Sequence, residues 1–133
     1  MSYTGYTRQA VAYRDREIQS ASPSRLVVLV FDCALSNLMR ARRAVQTNAI
    51  EERVNAVGKA RDAIIELLVT LNVEQGGDLA RNLRSVYTFI LSELSDVARR
   101  PDGARLETLI KLVTELRGAF DAIATDSART PAA

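Results

Sequence analysis

The chain has 133 residues, 47% hydrophobic and 26% charged, which is typical of one soluble globular domain. It contains no histidine and one cysteine, Cys33, which excludes Ser-His-Asp and Cys-His catalysis, His-ligated metal sites, zinc fingers and internal disulfides. The net charge is only +2, and every basic residue except Lys59 and Lys111 is arginine, which a GC-rich coding preference explains as readily as phosphate binding. The side chains that remain for chemistry are carboxylates, Lys, Tyr and Ser, so the composition disfavours an enzyme.

The sequence indicates neither secretion nor membrane insertion. Met1 is followed by polar, tyrosine-rich residues without the apolar core of a signal peptide. The most apolar run, Leu26 to Phe31, is far shorter than the roughly 20 residues that cross a bilayer. We expect a cytoplasmic protein, and a lone cysteine is compatible with that compartment.

Residues 1–19 form a predicted N-terminal arm. Tyr3, Tyr6, Ala10 and Tyr13 recur at helical spacing and would share one side of a helix. Aromatic rings provide a large contact area at a low cost in rotamer entropy. The arm is interpreted as a detachable lid over an apolar face, as a fixed fifth helix or as a disordered segment, and Tyr13 and Ile18 are its candidate contact residues.

The first helix is predicted from Pro23 to about Gln46, because Ser22 suits an N-cap and proline suits the first helical position. A second helix is predicted to open on a capping box formed by Asn48 and Glu51. At both helix starts, the predicted capping side chains can accept hydrogen bonds from free backbone amides.

Glycine and proline predict the remaining boundaries. Gly76-Gly77 should end the second helix, with Asp78 as the cap of the third. The segment Pro101-Asp102-Gly103 should separate the third helix from the fourth. Apolar residues at steps of three or four define stripes expected to face the core. The stripes of the last two helices contain Leu79, Leu83, Val86, Phe89, Ile90, Leu94 and Val97, then Leu106, Leu109, Val113, Leu116, Phe120 and Ile123.

The start of the first helix is unusually apolar. Every residue from Leu26 to Leu35 is apolar except Asp32, so nearly the whole circumference is apolar instead of one stripe. The helix is therefore central in the fold, or it leaves a face for another molecule. A β-strand over 26–31 is disfavoured because a lone strand has no partner for its backbone groups. Asp32 is expected to be exposed or to hydrogen-bond a tyrosine hydroxyl or an arginine, and Cys33 to be a small buried residue.

The predicted fold class is all-α, an antiparallel up-and-down four-helix bundle with an additional N-terminal helical or flexible arm. Short connections between the helices make consecutive helices antiparallel neighbours. The bundle is expected over residues 20–124, after the arm at 1–19 and before a flexible tail at 125–133.

Three blocks of sequence resemble the flagellin export chaperones of the FliS family. They cover about residues 12–120, in order and at compatible spacing, and together are more specific than any one motif. The blocks are Ala12-Tyr13 with Ala21-Ser22-Pro23 and Phe31-Asp32-Cys33-Ala34, then Leu71-Asn72 with Gly76-Gly77, Asn82-Leu83 and Tyr87, then Leu116-Arg117 with Phe120. Two residues depart from the family pattern: Cys33 stands where a glycine or another small residue is usual, and Phe120 replaces a common tryptophan.

The resemblance implies a chaperone that binds the disordered C-terminal region of flagellin and blocks premature polymerisation. It also implies hand-over to a membrane protein of the flagellar type III export gate, without cofactor or reaction. Candidate partner contacts on the bundle are Leu26, Leu29, Val30, Phe31, Asn82, Leu83, Tyr87, Leu116 and Phe120. Sequence leaves open which of these residues belong to the core and which to a binding groove.

Two other functions compete with this one. A homodimer that pairs through its apolar face, with no chaperone role, is the main alternative. Nucleic-acid binding is disfavoured because the arginines at 40–43 and 99–100 lie near predicted helix C-termini, where the helix dipole favours cations.

Overall fold

A computed structural model of the chain describes residues 22–129, with the side chains of residues 22–126. The helices are α1 (Pro23–Gln46), α2 (Ile50–Val69), α3 (Val73–Arg99) and α4 (Gly103–Arg129). No described residue belongs to a β-strand, so the all-α fold class is confirmed. The arm at 1–19, with Tyr13 and Ile18, lies outside the described residues, as do residues 130–133. Helix α4 continues past residue 124, where the sequence predicts the end of the bundle.

Helix α1 begins as predicted, and the start of α2 differs from the prediction. Ser22 Oγ accepts a hydrogen bond from the Arg25 amide at 3.2 Å, which caps α1. The predicted capping box on α2 is wrong: Ala49 is the N-cap and makes no side-chain cap hydrogen bond. Asn48 instead has a positive φ of 54°. Asparagine tolerates this left-handed conformation, so it turns the chain between the helices rather than capping one.

The glycine pair lies inside α3 instead of between two helices. Helix α2 ends at Val69, and Asn72 Oδ1 accepts a hydrogen bond from the Gln75 amide at 3.0 Å. Asn72 is therefore the cap that the sequence assigned to Asp78. Gly77 interrupts the helical geometry with φ 59° and ψ −136°, a conformation that only glycine adopts easily. The predicted break is thus real, but it is a kink one turn after the start of α3.

Connections of three residues join the helices, so consecutive helices run antiparallel. Helix α1 packs against both α2 and α4, and α2 packs against α3. Helices α3 and α4 approach each other much less. The bundle is therefore tight around α1 and α2 and open between its last two helices.

A single apolar core fills the centre of the bundle. Phe31 of α1 is fully buried, and its ring centroid lies 6.4 Å from that of Tyr87 in α3 and 5.3 Å from that of Phe120 in α4. Contacts of this kind stabilise a core beyond simple area burial. The largely apolar start of α1 is explained in part by this central position.

Candidate partner-binding groove

One face of α3 carries a regular strip of side chains that begins apolar and ends acidic. Its members, spaced by three or four residues, are Leu79, Asn82, Val86, Phe89, Glu93 and Asp96. This spacing keeps them on one side of a helix. Leu79 is 67% exposed and Phe89 is 49% exposed. Two large apolar side chains on this face are therefore left largely uncovered.

Ion pairs show that this strip faces α4. Arg105, near the start of α4, contacts Glu93 Oε2 at 3.0 Å through Nε and Asp96 Oδ2 at 3.0 Å through Nη1. The side-chain hydrogen bond from Arg99 and the nearby Arg105 lower the pKa of Asp96, so its carboxylate keeps its charge. Because Leu79 and Phe89 share the face of Glu93 and Asp96, they point toward the same neighbouring helix.

Helix α4 presents a matching strip. From Arg105 the same face continues at helical spacing through Leu112, Leu116, Ala119 and Ile123. Ile123 is 52% exposed, whereas Leu112 and Leu116 are half-buried and pack against the core. The two strips together define the α3–α4 groove, lined by Leu79, Val86, Phe89, Leu112, Leu116 and Ile123.

The two ends of the groove differ in character. At the end near residues 100–102, Arg105 bridges to α3. Toward Leu79 and Ile123 the seam carries exposed apolar side chains, and the two helices bring few backbone atoms close together. Between them Val86, Leu112 and Leu116 are half-buried and pack against the core.

Tyr87 and Phe31 lie behind the groove, in the core. Tyr87 is 2% exposed, and burial raises the pKa of its phenol to about 12. Phe31 is fully buried. Both were candidate contact residues, and in this structure each can touch a partner only if the core opens.

Four other candidates from α3 and α4 lie at or beside the groove. Leu116 lines it, and Asn82 is exposed on the α3 strip. Leu83 and Phe120 are half-buried and pack on the core beside it. The seam thus brings together residues predicted from two separate blocks of sequence.

The candidates in α1 divide into two groups. Val30 packs against the core, whereas Leu26 and Leu29 are half-buried and lie outside the core cluster. Cys33, expected to be buried, is only half-buried, although it does pack against the core.

Asp32 is paired with an arginine, one of the predicted possibilities. Its Oδ1 accepts a hydrogen bond from Arg117 Nε at 2.9 Å, and this bond raises the pKa of Arg117. Arg25 and Asp121 form a second link between α1 and α4, at 2.7 Å. These ion pairs lie on the side of α4 that faces α1, away from the groove.

Sequence reasoning missed five of the six groove-lining residues, and the exposed ones among these are Leu79, Phe89 and Ile123. Each belonged to an apolar stripe expected to face the core, yet each is exposed. No local signal separates them from buried stripe members, because helical spacing does not show how closely a neighbouring helix approaches.

The described residues offer an exposed apolar surface along the α3–α4 seam. Within 22–129, no group of three or more His, Cys, Asp and Glu side chains is arranged to hold a metal ion. None of the four helices combines the length and the apolar character required to span a membrane. This apolar surface can bind another apolar segment.

Comparison with known proteins places the chain in a family. The family model for the flagellar protein FliS matches residues 6–127. The flagellar secretion chaperone FliS of Vibrio cholerae is 31% identical over 109 residues, covering 82% of this chain and 80% of that protein. The flagellar secretion chaperone FliSB of Pseudomonas aeruginosa is 30% identical over 82% of this chain and 86% of its own length. The FliS of Salmonella typhimurium is 31% identical over 80% of this chain and 79% of its own length. With a family model matched over nearly its whole length, this chain belongs to the FliS family.

Proposed function

We propose that this protein is a flagellar secretion chaperone that binds the disordered C-terminal region of flagellin in the α3–α4 groove. The observation that carries the proposal is the exposure of Leu79, Phe89 and Ile123 on facing strips of two adjacent helices. Binding there keeps flagellin from polymerising before export. The complex is then delivered from the cytosol to a membrane protein of the flagellar export gate. This activity requires neither cofactor nor chemical reaction.

The dimensions of the groove support an amphipathic helix as the bound form. Leu79 and Phe89 are ten residues apart, which is about 15 Å along a helix, or nearly three turns. A client segment of about 11 residues with apolar side chains at i, i+3/i+4 and i+7 matches this length.

The exposed apolar surface of this groove also gives a physical reason for binding flagellin. A large uncovered apolar surface favours association. A disordered client loses conformational entropy on binding, so a long apolar track is needed to offset that loss. We further propose that the arm at 1–19 covers part of the groove when flagellin is absent.

The direct test replaces groove residues with aspartate and measures flagellin affinity by titration calorimetry. Phe89→Asp and Ile123→Asp should each weaken binding about tenfold or more, because a carboxylate would be desolvated against apolar client side chains. Ser92→Asp is the matched control, since Ser92 is exposed on α3 but lies off the strip.

Two further measurements can contradict the proposal. Flagellin lacking its C-terminal region should not bind, and equal affinity for both forms would contradict the proposed mode. Deletion of residues 1–19 should raise flagellin affinity. If the deletion leaves affinity unchanged, the lid proposal is wrong while the groove proposal stands.

A further inference from the structure

A cavity lies at the Arg105 end of the α3–α4 groove. Its volume is about 510 Å³, which is within the range of sites that bind small ligands. All five residues that line it are charged: Asp96, Arg99, Arg100, Asp102 and Arg105. Asp96 and Arg105 also belong to the two groove strips, so the cavity continues the groove beyond its apolar lining.

The carboxylates of this cavity already have arginine partners. Asp96 contacts Arg99 at 2.8 Å and Arg105 at 3.0 Å. Asp102 lies 3.7 Å from Arg105, and its Oδ1 accepts a hydrogen bond from the Arg105 amide at 3.0 Å near the start of α4. Because both acids are engaged, the cavity suits an anionic ligand better than a cationic one.

Arg100 is the lining residue that has no partner for its charge. It is exposed, and among residues 22–126 its guanidinium forms no ion pair and no hydrogen bond. Its backbone caps α3, with the Arg100 amide donating to the Asp96 carbonyl at 3.0 Å. A guanidinium stays charged and offers five N–H donors in a planar fork, which a carboxylate matches with two parallel hydrogen bonds.

A second cation without a carboxylate partner stands at the same end of α3. Arg53 of α2 is only 7% exposed, and its Nη2 donates to the Ala98 carbonyl at 3.4 Å, while its Nε is buried without a hydrogen-bond partner. The charged groups at this end of the bundle are then four guanidinium groups and three carboxylates, namely Arg53, Arg99, Arg100 and Arg105 against Glu93, Asp96 and Asp102. One additional carboxylate would balance them.

The client proposed for the groove carries a suitable group at its chain end. Its C-terminal region ends in an α-carboxylate, as every polypeptide does. If that region is helical in the groove, the carboxylate and the negative end of the helix dipole coincide. Arginines stabilise both, whereas the N-terminus of a client helix would bring positive charge against them.

We infer that this cavity binds the C-terminal carboxylate of flagellin, so that the client lies parallel to α3 with its chain end at Arg100. The inference rests on the proposed function, to which it adds a recognition site and a direction. Arg100 follows Phe89 by 11 residues, which is about 16 Å along a helix. A client helix with an apolar side chain against Phe89 therefore reaches the cavity after about 11 further residues.

Titration calorimetry with two peptides tests the recognition site. Both carry the C-terminal region of flagellin, one ending in a free carboxylate and the other in an amide. The unmodified chain should bind the free acid about five- to tenfold more tightly, because the amide cannot form the charged pair. Arg100→Gln should bind both peptides equally, with the lower affinity of the amide.

Arg84→Gln is the matched control for this experiment. Arg84 is also exposed on α3, forms no ion pair within the described residues and lies off the groove strip, so its variant should keep the full preference for the acid. Equal binding of the two peptides by the unmodified chain, or an unchanged preference in Arg100→Gln, would overturn the inference. Weak binding by Phe89→Asp would still support the groove in that case. A peptide that does not bind the unmodified chain at all would overturn the proposed function as well.

Paramagnetic labels test the direction of the client in a Cys33→Ala background. Thr108 and Ala122 are exposed on α4, Thr108 one turn beyond Arg105 and Ala122 beside Ile123. A nitroxide on Thr108→Cys should broaden the NMR signals of the last residues of the bound peptide. A nitroxide on Ala122→Cys should instead broaden signals nearer the N-terminus of the peptide. The reverse pattern would contradict the inferred direction.

Discussion

Helix pairs α1–α2 and α3–α4 have comparable lengths and similar apolar spacing, yet only the first is closely packed. Helices α1 and α2 bury alanines, among them Ala34, Ala41, Ala56 and Ala60, all fully inaccessible. The facing strips of α3 and α4 carry larger side chains, including Phe89 and Ile123. Because the distance between packed helices depends on side-chain size at the contact, the first pair closes and the second stays apart. The same apolar pattern thus builds a core in one place and a binding groove in another.

The largest difference in stability between the two regions should come from truncating one phenylalanine in each. Phe31→Ala should destabilise the fold by about 3–5 kcal/mol, because it leaves a cavity beside Tyr87 and Phe120. Phe89→Ala should cost less than about 1 kcal/mol, since Phe89 is already half exposed, but should weaken flagellin binding. Urea unfolding measures the first effect and calorimetry the second. Equal losses of stability would show that Phe89 belongs to the core.

The pH dependence of stability should report the buried phenol of Tyr87. Its pKa is about 12 in the folded state against 10.0 for the unperturbed group. Below pH 10 the phenol is protonated in both states, so its contribution is fully present. Between pH 10 and 12 the unfolded chain loses this proton while the folded chain keeps it, so stability falls, by up to about 2–3 kcal/mol.

Urea unfolding at pH 9 to 12 measures this loss, and Tyr87→Phe is the control. The variant should lose less stability over the same interval, because its buried ring has no proton to release. Parallel curves for the two proteins would contradict the assignment.

Two glycines should respond to alanine with opposite signs. Gly77→Ala should destabilise the protein by about 1–2 kcal/mol, since its positive φ and extended ψ strain any residue with a Cβ. Gly58→Ala should stabilise it by up to about 1 kcal/mol, because Gly58 lies in the middle of α2 with open space around it. Thermal unfolding compares both with the unmodified chain. A stabilising Gly77→Ala would mean that the kink is not required.

Local sequence rules predicted the presence of the helices more accurately than the residues at which the helices begin and end. Ser22 and Pro23 predicted the start of α1 because a cap and a first-turn proline act within one turn of chain. Asn48 and Asp78 failed as caps because better local alternatives existed, a left-handed turn at Asn48 and the cap at Asn72. The family was also readable from short motifs, in a chain that is only about 30% identical to its relatives.

The candidate site was predictable only in part. Leu116 and Asn82 stand in family-like blocks and lie on the groove strips. Leu79 and Ile123 were assigned to the core because their spacing is the same as that of buried residues. Exposure depends on the neighbouring helix, which spacing within one helix does not describe.

Sequence by itself determined that this chain is helical, that it forms a bundle, and that chemistry based on histidine or paired cysteines is absent. Those properties follow from local hydrogen bonding, periodicity and composition, which act within one chain segment. Only the tertiary structure decided which apolar residues are covered, because burial depends on how closely two distant segments approach. Small residues on α1 and α2 allow that approach, and bulky residues on α3 and α4 leave a groove.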